Sequence, residues 1–203
     1  MVTSQDLETL RKRYVNALLT GDSDKARQAV SDAQNRGLGV QSVYVDLLSY
    51  SQSVIGKMWH DGEINIGVEH LGTVITLEIM SELRTQASAM RKSNGFRAVV
   101  APVEGDTHMV GSRMLSDFLI IDGWEVDFMG GSTPGKDLVE FVKSRSVDMV
   151  GISVTIPTYI NNAKSTIRAL KSISPSPKIL IGGLALSNSK VDLKSLEGDA
   201  VVL

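Results

Sequence analysis

Apolar residues recur every three or four positions from Ser4 to about Lys92, which is the spacing of one buried helix face. Three polar or glycine-rich breaks divide this stretch into four helices. The breaks are Asp22-Ser23-Asp24, Gly37-Leu38-Gly39, and the segment around Asn65 or Gly67. The first break supplies side-chain acceptors for the free amides of a new helix, and glycines are typical where helices end. Residues 1–92 are therefore predicted to form an antiparallel four-helix bundle with short connections.

The pattern changes after the linker Ser93-Asn94-Gly95, where short apolar runs rich in β-branched residues alternate with segments of helical period. Five strands are predicted, at 97–103, 124–129, 149–154, 178–181 and 200–203. Helices are predicted at 110–121, 135–144, 159–172 and 188–196. Since strands that alternate with helices form parallel sheets, residues 93–203 are predicted to be an α/β domain of the flavodoxin-like or Rossmann-like type.

The composition is that of an ordinary soluble globular protein, because 42% of the 203 residues are hydrophobic and 22% are charged. A net charge of -2 offers no basic excess, so direct nucleic-acid binding is not expected. We expect a cytoplasmic protein, because no apolar stretch approaches the roughly 20 residues of a membrane span and the chain does not open on a signal peptide. With no cysteine and three histidines, the chain would bind a transition metal through histidine.

Polar residues and glycines follow three of the predicted strands, at the edge where open parallel sheets bind ligands. They are Asp106, Thr107, His108, Met109 and Gly111 after the first strand, Ser153 and Thr155 at the third, and Gly182 and Gly183 after the fourth. Neutral imidazole is a good metal ligand, and a carboxylate two residues before it can accept its other ring N–H. Glycine lets a ligand approach the backbone closely. This edge is therefore predicted to present a metal ligand.

Together these residues resemble the Asp-x-His-x-x-Gly, Ser, Gly-Gly signature of cobalamin-binding domains. Forty-one residues lie between Gly111 and Ser153, and twenty-eight between Ser153 and Gly182. The resemblance implies that His108 is the lower cobalt ligand, that Asp106 orients it, and that Met109 packs under the corrin. It also implies that the nucleotide tail of the cofactor threads into the domain beside the serine and the glycines. One position departs from the family, because Thr155 stands where leucine is commoner.

A second group of residues lies in the helical half, where Trp59-His60 precedes Glu69-His70 and nine residues separate Trp59 from Glu69. This spacing resembles the cap of the adenosylcobalamin-dependent photoreceptors of the CarH type, whose four-helix bundle precedes a cobalamin domain. The resemblance implies that Trp59 covers the upper cobalt face, that Glu69 binds the adenosyl ribose, and that His70 donates to the same sugar or to the corrin periphery. It further implies that His60 becomes the upper cobalt ligand once light has cleaved the cobalt–carbon bond.

These features lead to the interpretation of the chain as a light sensor that binds adenosylcobalamin, is not an enzyme, and signals through cap movement or a change of oligomer. Photoreceptors of this type carry an N-terminal DNA-binding domain, whereas about four residues precede the first helix predicted here. We therefore expect a separate regulatory protein partner, or a fragment of a longer regulator. Related domains also carry one helix after the fifth strand, so the exposed sheet face is expected to support a homo-oligomer.

Two other functions are compatible with the same residues. In a corrinoid carrier of a methyltransferase system, His108 and Asp106 keep their roles and methylcobalamin replaces adenosylcobalamin. Trp59, His60 and Glu69 then lose their assigned roles, because a carrier must open its upper face to substrates. In a flavodoxin-like module without cobalamin, these residues belong to ordinary loops and Trp59 to the core of the bundle.

Overall fold

The chain, seen in a computed structural model, is described over residues 2–89, 91–187 and 192–202. It divides into two compact units, Met1–Ala89 and Met90–Leu203. The first unit is helical and the second combines a parallel sheet with helices, which confirms the predicted α/β class with an N-terminal helical bundle. No helix in these described ranges is both long enough and apolar enough to cross a membrane.

Four helices form the first unit: α1 (Ser4–Thr20), α2 (Ser23–Asn35), α3 (residues 40–60) and α4 (Ile66–Ser88). Three of them begin where a side chain accepts a hydrogen bond from a free backbone amide. The acceptors are Thr3 for Asp6 N–H, Asp22 for Lys25 N–H, and Asn65 for Val68 N–H. Two of the breaks read from the sequence, at Asp22 and Asn65, thus supply helix caps.

The third helix contains a π-helical segment. It consists of an α-helical start, Val40–Ser42, the π segment, Val43–Ser49, and an α-helical remainder, Tyr50–His60. Within the π segment, the carbonyl of Asp46 accepts a 2.7 Å hydrogen bond from Nε of Arg11 on α1. The guanidinium of Arg11 also lies over the Tyr50 ring, 4.0 Å from its centroid. One arginine therefore joins α1 to the π segment and to the residue that follows it.

A chain of polar side chains runs through the core of the bundle. The Tyr14 and Thr76 hydroxyls are 3.0 Å apart, and Gln52 Nε2 donates to Thr76 Oγ1 at 2.6 Å. The Thr73 hydroxyl lies 3.1 Å from both Gln52 Oε1 and Glu69 Oε1, and it can donate to only one of them at a time. Burial raises the pKa of the Tyr14 phenol above its usual value, so the hydroxyl keeps its proton. The chain links the core to Glu69.

Replacing Tyr14 with phenylalanine is expected to lower the free energy of unfolding of the helical unit by about 1 kcal/mol, the net value of a typical internal hydrogen bond. Thr76 keeps its bond from Gln52, so no buried hydroxyl is left without a partner. Chemical denaturation followed by circular dichroism measures the change. Tyr50→Phe is the matched control, because the Tyr50 side chain is partly exposed. Equal stabilities of the two variants would contradict this assignment.

The second unit is built on five parallel strands: β1 (Arg97–Pro102), β2 (Glu125–Phe128), β3 (Met149–Ser153), β4 (Lys178–Gly182) and β5 (Ala200–Val202). Their order in the sheet is β2-β1-β3-β4-β5. Each neighbouring pair is parallel. The alternation of strands and helices predicted a parallel sheet of the flavodoxin-like or Rossmann-like type, and the observed order is that of flavodoxin-like sheets.

Helices α5 (Val110–Ile121), α6 (Gly135–Lys143) and α7 (Ile160–Lys171) connect the strands. Successive strand residues point to opposite faces of the sheet. Val99 on one face joins a buried cluster with side chains of α6 and α7. On the other face, a Cβ at Gly151 would lie 2.8 Å from Leu115 of α5, so this glycine lets the helix pack directly on the sheet. Both faces of the central strands are covered.

The helix predicted at 188–196 is wrong over the part that the structure describes. Residues 188–191 lie outside the described residues, and Leu193–Leu196 form a single 3-10 turn. The Asp192 carboxylate accepts from Lys194 N–H at 3.1 Å and opens this turn, and Glu197, with a left-handed φ of 55°, closes it. The turn signals on both sides therefore outweigh the short apolar pattern.

Candidate functional site

The crossing direction of the chain reverses between two central strands, β1 and β3. The chain leaves β1 towards β2 on one side, and it leaves β3 towards β4 on the other. The loops that follow β1 and β3 therefore diverge, and open α/β sheets bind ligands in the crevice that results. Asp106 and His108 lie in the first of these loops and Thr155 in the second. The sheet order thus brings together residues that are far apart in the sequence.

The imidazole of His108 is held on one side only. Its Nδ1 lies 2.8 Å from Asp106 Oδ1, and the same oxygen accepts from the His108 backbone N–H at 3.0 Å. The His108 side chain is 50% exposed, whereas that of Asp106 is 1% exposed. Since a carboxylate is an acceptor, this bond places the ring proton on Nδ1 and leaves Nε2 as the free lone pair. The arrangement presents Nε2 as a ligand.

Asp106 also joins the two loops of the crevice. Its second oxygen, Oδ2, accepts from the backbone N–H of Thr155 at 2.6 Å. A further bond runs from Val103 N–H to the Ser153 carbonyl at 2.9 Å. The carboxylate thus accepts two backbone donors and one ring donor, so it cannot rotate without breaking all three bonds. This anchoring gives the imidazole a fixed direction.

The residues around His108 fit a corrin-bound metal. The described residues contain no cluster of three or more His, Asp or Glu side chains that could hold a free ion. A metal held in a macrocycle brings its equatorial ligands with it and requires only one protein nitrogen from below. Thr107 is exposed, Met109 is partly buried, and a Cβ at Gly111 would meet nothing within 4 Å. The surface beside the imidazole is therefore open.

The two glycines at the end of β4, Gly182 within the strand and Gly183 directly after it, have different surroundings. Gly183 has a φ of +114°, and a Cβ there would lie 2.3 Å from the Val154 carbonyl oxygen. Gly182 pairs with Ser153 across the sheet, and a Cβ on it would lie 3.3 Å from the Val202 carbonyl oxygen. Gly183 is thus required by backbone packing between the loops after β3 and β4. A contact of Ser153 or of either glycine with a cofactor tail stays a prediction.

The predicted lid residues lie at the end of the third helix. Trp59 is 44% exposed, and His60, the last residue of α3, is exposed as well. Trp59 is therefore not a core residue of the bundle. Because it is seven residues from Gln52, it lies on the same face of α3, and Gln52 hydrogen-bonds to the α4 residues Gly72 and Thr76. Trp59 thus faces the first turns of α4.

The pair Glu69-His70 lies in the first turn of α4. Glu69 Oε1 is 3.1 Å from the Thr73 hydroxyl, and its Oε2 is 3.7 Å from His70 Nε2. The His70 side chain is 71% exposed, compared with 21% for Glu69. Glu69 is therefore fixed by its neighbours, whereas the His70 ring lies in solvent. Their predicted contacts with a ribose stay predictions.

One donor of the site is a main-chain amide that the residue pattern does not reveal. The sequence marks Thr155 as a position where leucine is commoner, whereas in the structure its backbone N–H donates to the Asp106 carboxylate. A backbone amide is present at every residue except proline, so residue types carry no sign of this contact.

Two family profiles match the chain, one in each of its two units. The profile of a family described as B12 binding domain matches residues 96–203, and a second profile, also described as B12 binding domain, matches residues 10–84. Dimethylamine corrinoid protein 1 of Methanosarcina acetivorans is 25% identical over 190 residues, which cover 91% of this chain and 88% of that protein. A corrinoid protein of Desulfitobacterium hafniense is 24% identical over 82% of this chain and 80% of its own length.

Among solved structures, that of the Methanosarcina barkeri monomethylamine corrinoid protein superimposes with a TM-score of 0.78. The superposition covers 96% of this chain and 92% of that protein, at 18% sequence identity. At this identity the similarity supports the fold alone.

The interpretation as a light sensor is wrong. The relatives that match nine-tenths of the chain are named as dimethylamine corrinoid proteins, not as photoreceptors. The photoreceptor resemblance rested on the spacing between Trp59 and Glu69, which is a short pattern in a helical bundle. Two predictions lose their basis with the light-sensor interpretation. They are the role of His60 as an upper ligand after photolysis and the expectation of a separate regulatory partner or a longer regulator.

Proposed function

Because residues 96–203 match its profile, the chain belongs to the B12 binding domain family, and we propose that it is a corrinoid carrier of a methyltransferase system. In this role it binds cobalamin and carries a methyl group between two partner enzymes. The observation that carries the proposal is the Asp106–His108 pair, a single oriented imidazole at the mouth of the crevice. The names of relatives that span most of the chain support the methyl-transfer role.

The residues of the site have separate tasks in this proposal. When bound, the corrinoid supplies a cobalt centre that accepts a methyl group and gives it up again. His108 would hold the cobalt from below through Nε2, and Asp106 would keep the ring proton on Nδ1. The Thr155 amide holds the carboxylate in place, since it donates to the oxygen that the imidazole does not use. Gly111 leaves space on the same surface.

In a carrier, unlike in a sensor, the upper face of the bound corrinoid must be accessible to other enzymes. Two partner enzymes must reach the cobalt in turn, so no protein side chain can occupy the upper position permanently. We therefore assign no cobalt-ligand role to His60 or His70, and we propose methylcobalamin instead of adenosylcobalamin as the working form of the cofactor. The partners that this role needs are a methyltransferase specific for a methylated substrate and a second enzyme that accepts the methyl group.

The proposed function is tested by loading the purified chain with cobalamin, reducing it and supplying labelled methyl iodide as methyl donor. We expect the methylated cofactor to stay with the protein through desalting and to release its label when a dimethylamine-type methyltransferase system and a thiol are added. Retention of adenosylcobalamin but not of methylcobalamin would contradict the carrier role. Failure to retain any cobalamin would contradict the binding site itself.

Replacing Asp106 with asparagine is expected to weaken cobalamin binding about 10- to 100-fold, the usual effect of losing a partner of a metal-bound histidine. The amide keeps the size of the side chain and one acceptor oxygen, but it cannot serve all three donors that the carboxylate serves. Equilibrium dialysis with hydroxocobalamin measures the affinity. Asp127→Asn, a change at an exposed ion pair of β2, is the control. Unchanged affinity in Asp106→Asn would refute the orienting role.

A further inference from the structure

Glu104 lies between the end of β1 and His108, and two helices bind it. Its carboxylate oxygen Oε2 accepts from the backbone N–H of Gly135 at 3.0 Å. Its main-chain carbonyl accepts from Asn162 Nδ2 at 2.9 Å. Gly135 is the first residue of α6 and Asn162 belongs to the first turn of α7. One residue thus connects the loop that carries His108 to the beginning of both helices on one side of the sheet.

The start of α6 needs an acceptor from outside the helix. Its N-cap residue is Pro134, whose side chain has no hydrogen-bonding atom, so it forms no cap. The first amides of a helix have no partner within it, and negative charge is favourable there. The Glu104 carboxylate, from a different loop, both accepts the hydrogen bond of the Gly135 amide and places a negative charge at the start of the helix. The residue therefore serves as a cap for α6 and, at the same time, as a fixed point for its own loop.

The next residue, Gly105, tightens the same connection. Its N–H donates to Ser132 Oγ at 2.7 Å. Its φ is +92°, and a Cβ there would lie 2.5 Å from the Tyr159 ring, so the tyrosine packs directly on the glycine backbone. With Asp106 bound to the Thr155 amide, three consecutive residues are each attached to another loop or helix. Each residue from 104 to 106, directly before Thr107 and His108, is thus fixed by a hydrogen bond to another part of the α/β unit.

We infer that Glu104 is a positioning residue for His108, which fixes the direction of the imidazole by tying its loop to α6 and α7. The inference rests on the proposed function, since it gives Glu104 a purpose in cobalamin binding. Glu104 acts at a distance, and Asp106 is the residue that contacts the ring. Without the Glu104 carboxylate, the loop loses its bond to the start of α6, while the bonds of Gly105 and Asp106 and the bond from Asn162 to the main-chain carbonyl remain. The ring then samples more than one orientation.

The tautomer of His108 provides a test that needs no cofactor. Ring ¹⁵N–¹H correlation spectra of the apo protein at pH 8 distinguish a proton on Nδ1 from one on Nε2. We expect one Nδ1–H tautomer in the unaltered chain and in Glu104→Gln, which keeps an acceptor oxygen for Gly135 N–H. In Glu104→Ala we expect a mixture of tautomers, and about a ten-fold loss of hydroxocobalamin affinity. Glu140→Ala, an exposed carboxylate of α6, is the control and is expected to behave as the unaltered chain.

A purely structural role would give a different result. If Glu104→Ala lowers the melting temperature but leaves the His108 tautomer and the cobalamin affinity unchanged, the inference is overturned. If this variant does not fold, Asn162→Ala removes the second attachment and is judged by the same spectra. Failure of the unaltered chain to retain cobalamin would remove the proposed function, whereas the apo spectra would still report whether Glu104 orients the ring. The two failures are thus distinguishable.

Discussion

A chain in which His108 is replaced by alanine is expected to lose the histidine-ligated cobalamin spectrum completely and to bind cobalamin about 100-fold less tightly or weaker still. His108 is the only histidine of the α/β unit, and its free Nε2 is the nitrogen that the site presents. Without it, a bound corrinoid has no protein ligand at its lower face. The absorption spectrum after reconstitution and desalting, together with equilibrium dialysis, measures both effects.

The other two histidines provide matched controls for this experiment. His60 and His70 lie in the helical unit, at the end of α3 and the start of α4. Their replacement by alanine is expected to leave the spectrum unchanged. If His108→Ala keeps the histidine-ligated spectrum, or if His60→Ala loses it, the lower ligand has been assigned to the wrong residue.

Replacing Gly183 with alanine is expected to destabilise the α/β unit by about 3 kcal/mol or more, because two costs add together. The φ of +114° is a conformation that residues with a side chain rarely adopt. In addition, the new Cβ would lie 2.3 Å from the Val154 carbonyl oxygen, and backbone atoms there cannot move without breaking bonds between the loops. Val154 N–H donates to the Gly182 carbonyl at 2.8 Å, and the Val154 carbonyl accepts from Ala185 N–H at 3.1 Å.

Gly130 separates the two costs. It has a φ of +75°, but a Cβ on it would meet nothing within 4 Å. Gly130→Ala therefore reports the conformational cost alone, about 1–2 kcal/mol. Denaturant unfolding of both variants measures the difference, which we assign to the contact with Val154. If Gly183→Ala is no less stable than Gly130→Ala, this contact does not constrain the site.

The hydrogen bond between Asp106 and His108 could be predicted from residue type, because a carboxylate two residues before an imidazole can accept its ring N–H. The role of His108 as a metal ligand stays a prediction, and it rests on the combination of this pair with the serine and glycines that follow two other strands. The alternation of strands and helices likewise predicted the five-stranded sheet, because parallel strands need crossover connections. These features depend on side chains that lie close together in the sequence.

Other features depend on contacts that the sequence does not record. The Thr155 amide reaches Asp106 only because β3 lies beside β1 in the sheet. The π segment of α3 leaves the apolar spacing of the helix unchanged, and the bond from Arg11 to the Asp46 carbonyl joins two separate helices. The cap that Glu104 provides for α6 comes from a different loop. Hydrogen bonds of this kind join residues that are distant in the sequence, so the local pattern of apolar and polar residues does not predict them.

The mistaken function has a related cause. Trp59 lies near the end of one helix, and the Glu69-His70 pair lies near the start of the next. A helical bundle can carry these side chains in a sensor or in a carrier, so their spacing does not distinguish the two functions. The structure shows Trp59 exposed and Glu69 bound to Thr73, and neither fact selects an upper ligand. The spacing of two short motifs is weaker support for a function than the names of relatives that match about nine-tenths of the chain, on which the proposed carrier role draws.

The central claim, that His108 holds the cobalt through its imidazole, is tested most directly by electron paramagnetic resonance of the protein loaded with cob(II)alamin. The chain is produced with ¹⁵N-labelled histidine, while the cofactor keeps ¹⁴N in its own base. We predict that each cobalt line is split into two by one ¹⁵N nucleus, and that this splitting is absent in His108→Ala. Splitting into three lines would show that the ligand is the cofactor's own base and would contradict the account.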